Sequence, residues 1–247
     1  MRVLRSALFA AGFVAATALL VVLLSPALFG PPRAARRAGA VWGHATIFLL
    51  RILAGIRHEI HGPLPPSGCI VAAKHQSAWE TLALAALLPD PVYVVKQELL
   101  SIPGIGLYLR RAGQIAVDRQ GGASALRRMV QEAKAALETG AQVVVFPEGT
   151  RVAPGERHPY HPGIAALYRE TGAVVAPAAL NSGRHWSRRG FRMSPGRIRL
   201  EFLELIPPGM DRRAFMACLE ERIEEACQDM EVGGGVHDGG RWGKVVP

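Results

Sequence analysis

The chain has 247 residues, 49% of them hydrophobic and 20% charged, with 29 Lys and Arg against 20 Asp and Glu for a net charge of +9. That apolar content excludes a disordered chain, and 27 glycines without a triplet period exclude a collagen-like one. Three cysteines without CxxC spacing exclude a disulfide framework, so Cys69, Cys218 and Cys227 read as buried free thiols.

The positive excess is local. Residues 1–57 hold Arg2, Arg5, Arg33, Arg36, Arg37, Arg51 and Arg57 and no acid, leaving 22 basic and 20 acidic residues for the rest. A nearly balanced body gives no basic face for nucleic acid, so none is expected as a partner. Residues 6–30 form an uncharged apolar run of 25 residues, and about 20 suffice to cross a bilayer core. The run is too long for the apolar core of a typical signal peptide, which favours a retained membrane segment. A second apolar patch, residues 40–56, is interrupted by His44 and Arg51. It reads as an interfacial or re-entrant helix with Phe48, Leu49, Leu50, Ile52 and Leu53 turned to lipid. Arg33, Arg36 and Arg37 follow Pro31-Pro32 between the two patches, placed for anionic membrane lipids. More arginines follow the first segment than precede it, which puts the body in the cytoplasm.

From residue 68 onward, short apolar runs alternate with helical stretches. Residues 69–73, 92–95, 114–117, 142–146, 174–180 and 198–202 are expected as strands. Residues 78–88, 123–138, 161–170 and 211–230 are expected as helices. The alternation predicts an α/β layered fold with a mostly parallel central sheet flanked by helices. Three parts are expected: membrane-anchoring helices over 1–57, a folded domain over 58–231, and a flexible Gly-rich tail over 232–247.

Nucleotide, hydrolase and zinc motifs are missing: there is no GxSxG, GxxxxGK[ST] or HExxH. The pairs His58/His61 and His158/His161 lack partners at zinc spacing and read as solvated or structural residues in loops, so no metal is expected. Chemistry gathers elsewhere. Lys74-His75-Gln76-Ser77-Ala78-Trp79-Glu80 follows a strand and opens a helix, placing His75 at the end of the sheet, where such folds hold ligands. Positions five apart do not share a helical face, so His75 must precede the helix for Glu80 to orient its ring. Phe146-Pro147-Glu148-Gly149-Thr150-Arg151 ends a strong strand pattern and offers backbone amides, a hydroxyl and a guanidinium suited to phosphate. Lys96 and Arg119 lie just past strand ends and are expected on the same rim.

These blocks, with Gly113 to Arg119 and Val175 to Leu180 in the same order, resemble the glycerolipid acyltransferase family over residues 58–206. Within it the chain is most similar to the bacterial 1-acylglycerol-3-phosphate acyltransferases. The resemblance implies a general base at His75 oriented by Glu80, and acceptor-phosphate contacts from Lys96 and Arg151. It also implies that Arg119, Glu148, Gly149 and Thr150 shape the acceptor site. The implied reaction moves an acyl chain from acyl-CoA or acyl-carrier protein to lysophosphatidic acid at the inner (cytoplasmic) membrane, with no bound cofactor. The same chemistry on another lyso-acceptor or on glycerol 3-phosphate is an alternative, as is a non-catalytic lipid-binding module. The family's first block usually reads Asn-His with Asp at the fifth position after it. Here Lys74 replaces the Asn and Glu80 the Asp. In the second block, Ala116 and Val117 stand where the family has an aromatic residue and Ile.

Overall fold

The computed structural model describes residues 2–118, 120–188 and 192–232. Seven strands make one sheet: β1 (Ile56–His61), β2 (Ile70–Ala73), β3 (Pro91–Lys96), β4 (Ile115–Val117), β5 (Gln142–Val145), β6 (Val175–Leu180) and β7 (Gly196–Phe202), in the order β1-β7-β6-β2-β5-β3-β4. Every pairing is parallel except β6 against β7. The α/β class and the mostly parallel sheet are as the alternation of apolar runs predicts.

Both faces of the sheet are covered, which is why its central strands are apolar but for Gln142 at the start of β5. Alternate residues point to opposite sides. Val71, Ala73, Val144, Ala176 and Ala178 share one core with residues of helices α1 (Arg2–Leu23) and α3 (Trp79–Leu87), against which Trp42 and Ile47 of α2 (Pro32–Leu49) also pack. Ile70, Ala72, Val143, Val145 and Val175 face the other core, with residues of α5 (Gly122–Glu138), α6 (Gly163–Thr171) and α7 (Arg212–Val232). The remaining helix, α4 (Ile105–Arg111), precedes β4.

Local chemistry sets the boundaries. Pro32 opens α2 at a position where its missing N–H costs nothing. Asp211 caps α7 by accepting from the N–H groups of Arg213 and Ala214 at 2.8 and 3.0 Å. Gly43 lets α2 approach α3 closely, since a Cβ there would stand 2.6 Å from the carbonyl of Leu82.

Several expectations change. The second apolar patch is not one interfacial helix: α2 gives way to a π-helical turn, Leu50–Ala54, and β1 begins at Ile56. Of the side chains expected to face lipid, Phe48 and Ile52 are exposed. Leu50, however, is only 1% exposed, and Leu49 and Leu53 pack against the core. The turn rotates these three inward, because the chain must bend back to the sheet edge. His58 and His61 lie in β1 and not in a loop, and that strand crosses the 57/58 boundary drawn from sequence. Arg33 and Arg36 bind Asp90 at 3.0 and 2.7 Å and the carbonyls of Thr139 and Ala112. They tether α2 to the body, which removes Arg36 in particular from contact with lipid head groups. α1 has a dual character: Phe9 is fully buried against Trp186, whereas Val14, Leu19 and Val22 are exposed. Cys69 and Cys227 are buried and Cys218 partly so; burial pushes both buried thiols up to about 12, which leaves them unreactive. Of the tail, only Val232, the last residue of α7, lies within the described residues.

Candidate active site

β2, β5, β3 and β4 are adjacent and parallel, so their carboxyl ends share one edge of the sheet. His75 follows β2, Arg151 lies just beyond β5, and Lys96 ends β3 opposite Val117 of β4. Topology thus brings three of the expected site residues to one rim. Arg119 lies outside the described residues.

At the end of β2, Lys74 continues the ladder by donating its N–H to Ala178 at 2.9 Å. The chain then turns and α3 starts at Trp79, which puts Glu80 in its first turn with His75 ahead of the helix. The ring Nδ1 of His75 stands 2.8 Å from Glu80 Oε1. A carboxylate can only accept, so in the neutral ring the proton sits on Nδ1 and Nε2 carries the lone pair. The same Oε1 accepts from the backbone N–H groups of Gln76 and Ser77 at 2.6 and 2.7 Å. The hydroxyls of Ser77 and Ser182 lie 2.9 and 2.7 Å from Oε2.

Glu80 is fully buried. Burial alone would raise its pKa, but the His75 ring, the Ser182 hydroxyl and the Ser77 amide outweigh it and hold the carboxyl below its ordinary value. At neutral pH it is an anion against one ring nitrogen. The imidazole is not sealed: its side chain is 15% exposed.

The segment 146–151 holds His75 from the other side. Phe146 stacks on the imidazole with ring centroids 4.0 Å apart. Glu148 Oε2 accepts the His75 N–H at 2.9 Å, and the His75 carbonyl accepts from Val152 at 2.8 Å. A turn closed by Gly149 N–H to the Phe146 carbonyl allows this, with Gly149 at φ +64°, a conformation that favours glycine. Glu148, expected at the acceptor site, faces inward. Thr150 is exposed and Arg151 half-buried.

Sequence reasoning missed the group beneath this loop. Lys74 Nζ bridges Glu148 Oε1 at 2.7 Å and Glu224 Oε1 and Oε2 at 2.7 and 2.9 Å, and Tyr160 donates its hydroxyl to Glu224 at 3.0 Å. All four side chains are buried. Burial opposes the Lys74 charge, but Glu148 and Glu224 more than offset it and raise the amine's pKa. Glu148 is pushed up by burial, with the Glu224 charge adding to the rise against the pull of Lys74. A lysine directly after an all-apolar strand was the available signal. Ser182 and Gln76 were missed too; Gln76 accepts from Gly183 N–H at 3.0 Å and ties the His75 loop to the segment after β6. Among the described residues, no three His, Cys, Asp or Glu side chains are grouped to hold a metal ion.

Residues 56–181 match the model of a protein family described as Acyltransferase. Over 161 residues the chain is 37% identical to the 1-acyl-sn-glycerol-3-phosphate acyltransferase of Pseudomonas aeruginosa, a match covering 64% of this chain and 63% of that protein. It is 31% identical over 182 residues to the 1-acyl-sn-glycerol-3-phosphate acyltransferase alpha of Ovis aries, covering 72% and 63%. The matched regions thus span less than two thirds of these relatives' own length. The crystal structure of the 1-acyl-sn-glycerophosphate (LPA) acyltransferase from Thermotoga maritima superposes with a TM-score of 0.78 over 99% of this chain and 100% of that one. At 20% identity that likeness concerns the fold.

Proposed function

The chain belongs to the acyltransferase family, and from that premise we propose that it acylates the free hydroxyl of 1-acyl-sn-glycerol 3-phosphate to give phosphatidic acid. The observation that carries this reading is the His75–Glu80 pair at a strand-to-helix junction, with Nε2 free to act as a base.

In this mechanism Nε2 of His75 takes the hydroxyl proton as the acceptor oxygen attacks the carbonyl carbon of an acyl thioester. The carbon–sulfur bond then breaks, and the departing thiolate takes the proton back from the imidazolium. No covalent enzyme intermediate forms. Glu80 fixes the tautomer and stabilises the imidazolium, and its four protein donors keep it from rotating away. Phe146 holds the ring plane. Lys96 and Arg151 bind the acceptor's phosphate and act by positioning. Arg119, Gly149 and Thr150 help shape the acceptor site. Glu148 contributes by holding the His75 backbone and the loop that carries Arg151.

The acyl donor is acyl-CoA or an acyl-carrier protein. α1 inserts its exposed apolar side into the inner membrane, with anionic lipids around exposed N-terminal arginines such as Arg37 and the catalytic body in the cytoplasm. The deciding experiment supplies purified full-length protein with lysophosphatidic acid and labelled acyl-CoA or acyl-carrier protein, beside His75→Ala. Phosphatidic acid should form with the wild type and not with the variant. No transfer to any lyso-acceptor, or equal transfer by the variant, refutes the proposal.

A further inference from the structure

The segment after β6 carries Arg184, Arg188 and Arg192 among its described residues, and none of them belongs to the site described above. Arg188 is set apart by where it reaches. Its Nη1 lies 3.4 Å from the carbonyl of Arg151, and Nη1 of Arg151 lies 3.5 Å from the carbonyl of Arg188. The two side chains therefore pass each other in opposite directions, each guanidinium beside the other's backbone. Both contacts are long, so neither consumes the hydrogen-bonding capacity of a group with five donors.

Charge makes the arrangement informative. Among the described residues no carboxylate pairs with Arg151, and Arg188 has only Glu156 at 3.7 Å, a half-exposed and distant partner. The buried carboxylate of the same loop, Glu148, is already shared by Lys74 and the His75 amide. With so little compensating charge, two guanidiniums that cross between the same two segments leave a local positive excess that an anion neutralises. The pair also sits beside the reacting centre, because Val152, next to Arg151, donates its N–H to the carbonyl of His75. Gly183, earlier in the Arg188 segment, is bonded to Gln76, next to His75.

We infer that Arg188 and Arg151 together form a two-guanidinium clamp for the phosphomonoester dianion of the acyl acceptor, with Arg188 as a specificity-determining residue. This rests on the acceptor class proposed above. Two forks on one phosphate match its charge of about −2 and its three terminal oxygens, which a single guanidinium does not. The clamp recognises a monoester in preference to a diester or an uncharged glycerol head. Glu156 is displaced from Arg188 when the phosphate arrives.

The test uses full-length protein in neutral-detergent mixed micelles, so that membrane charge is not a variable. Lysophosphatidic acid is titrated into His75→Ala protein with Arg188 intact, or changed to Ala or Lys, and Kd is measured directly. Arg188→Ala should weaken binding about tenfold or more, as loss of charge-assisted hydrogen bonds does. Arg188→Lys should recover part of it, and a monoacylglycerol lacking the phosphate should bind all three proteins alike. Equal Kd values overturn the inference, as does a loss that is the same with and without phosphate. In turnover with His75 present, Arg188→Ala should raise the acceptor KM; a change confined to the KM of acyl-CoA would assign the guanidinium to the donor's phosphates and also overturn it. Because the binding arm needs no turnover, its failure is distinguishable from failure of the proposed reaction.

Discussion

Lys74 and Glu224 stand 150 residues apart in the chain and meet at 2.7 Å in a site closed to water. Glu148 shares the same amine and in turn holds the backbone of His75, so a charge on α7 supports the loop that carries the base. A buried pair of this kind adds little stability over an apolar replacement of both partners, but removing one partner leaves an uncompensated charge. Lys74→Met should lower unfolding free energy by about 3–5 kcal/mol, measured from urea midpoints. The double change Lys74→Met/Glu224→Gln should cost clearly less than the sum of Lys74→Met and Glu224→Gln measured singly. Additive costs would show that the two side chains are not coupled.

Glu80 tests the geometry of the base. Glu80→Gln keeps the volume but presents an amide whose orientation no longer dictates the His75 tautomer. Turnover should fall on the order of 10³-fold with acceptor KM little changed. Glu80→Asp restores the family's usual carboxylate yet should still lose about 10²-fold, because the oxygen withdraws by about one bond length from a site built around the longer side chain. Full activity in the Asp variant would mean that the loop readjusts freely.

The same carboxylate predicts an acid limb. Its folded pKa lies below the ordinary value, so the unfolded chain binds the proton more readily. The stability it supplies is complete above the unfolded pKa of about 4.3 and disappears as pH falls through the lower folded value. The difference in unfolding free energy between wild type and Glu80→Gln should hold steady from pH 7 to about 5 and shrink below about 4. A difference that does not vary across that window would show that Glu80 keeps an unshifted pKa.

Ser182 was invisible to motif reasoning, since nothing in its local sequence points to Glu80 across 102 residues. Ser182→Ala removes a buried donor from the carboxylate and should cost about 1–3 kcal/mol, with a smaller loss of kcat. Urea melts read the first quantity, steady-state rates the second. An unchanged midpoint would mean that another donor replaces the hydroxyl.

The two sides of α1 should separate experimentally. Leu19→Lys changes an exposed residue and should weaken co-sedimentation with vesicles while leaving the melting temperature alone. Phe9→Ala opens the core beside Trp186 and should destabilise by about 3–5 kcal/mol without reducing vesicle binding by folded protein. If Leu19→Lys protein stays fully bound, attachment depends on another surface.

What could be read from sequence was whatever depends on near neighbours along the chain. Period-two and continuous apolar runs located six of the seven strands, the uncharged stretch marked α1, and the short spacing from His75 to Glu80 required the base to precede its helix. β1 was hidden because Ile56–His61 lacks a period-two pattern, its two apolar residues standing four apart, and it follows directly on an apolar patch that reads as lipid-facing. Leu50 looked like a membrane residue for the same reason: apolarity says that a side chain leaves water, not what it enters. Tertiary structure alone decided which charges neutralise one another. Glu148 turned from the acceptor to Lys74, Glu224 arrived from α7, and Arg36 turned from the membrane to Asp90. The pull between two charges depends on their separation and burial in space, and neither is a property of spacing in sequence. The net charge of +9 was legible at once; where each cation finds its anion required the fold.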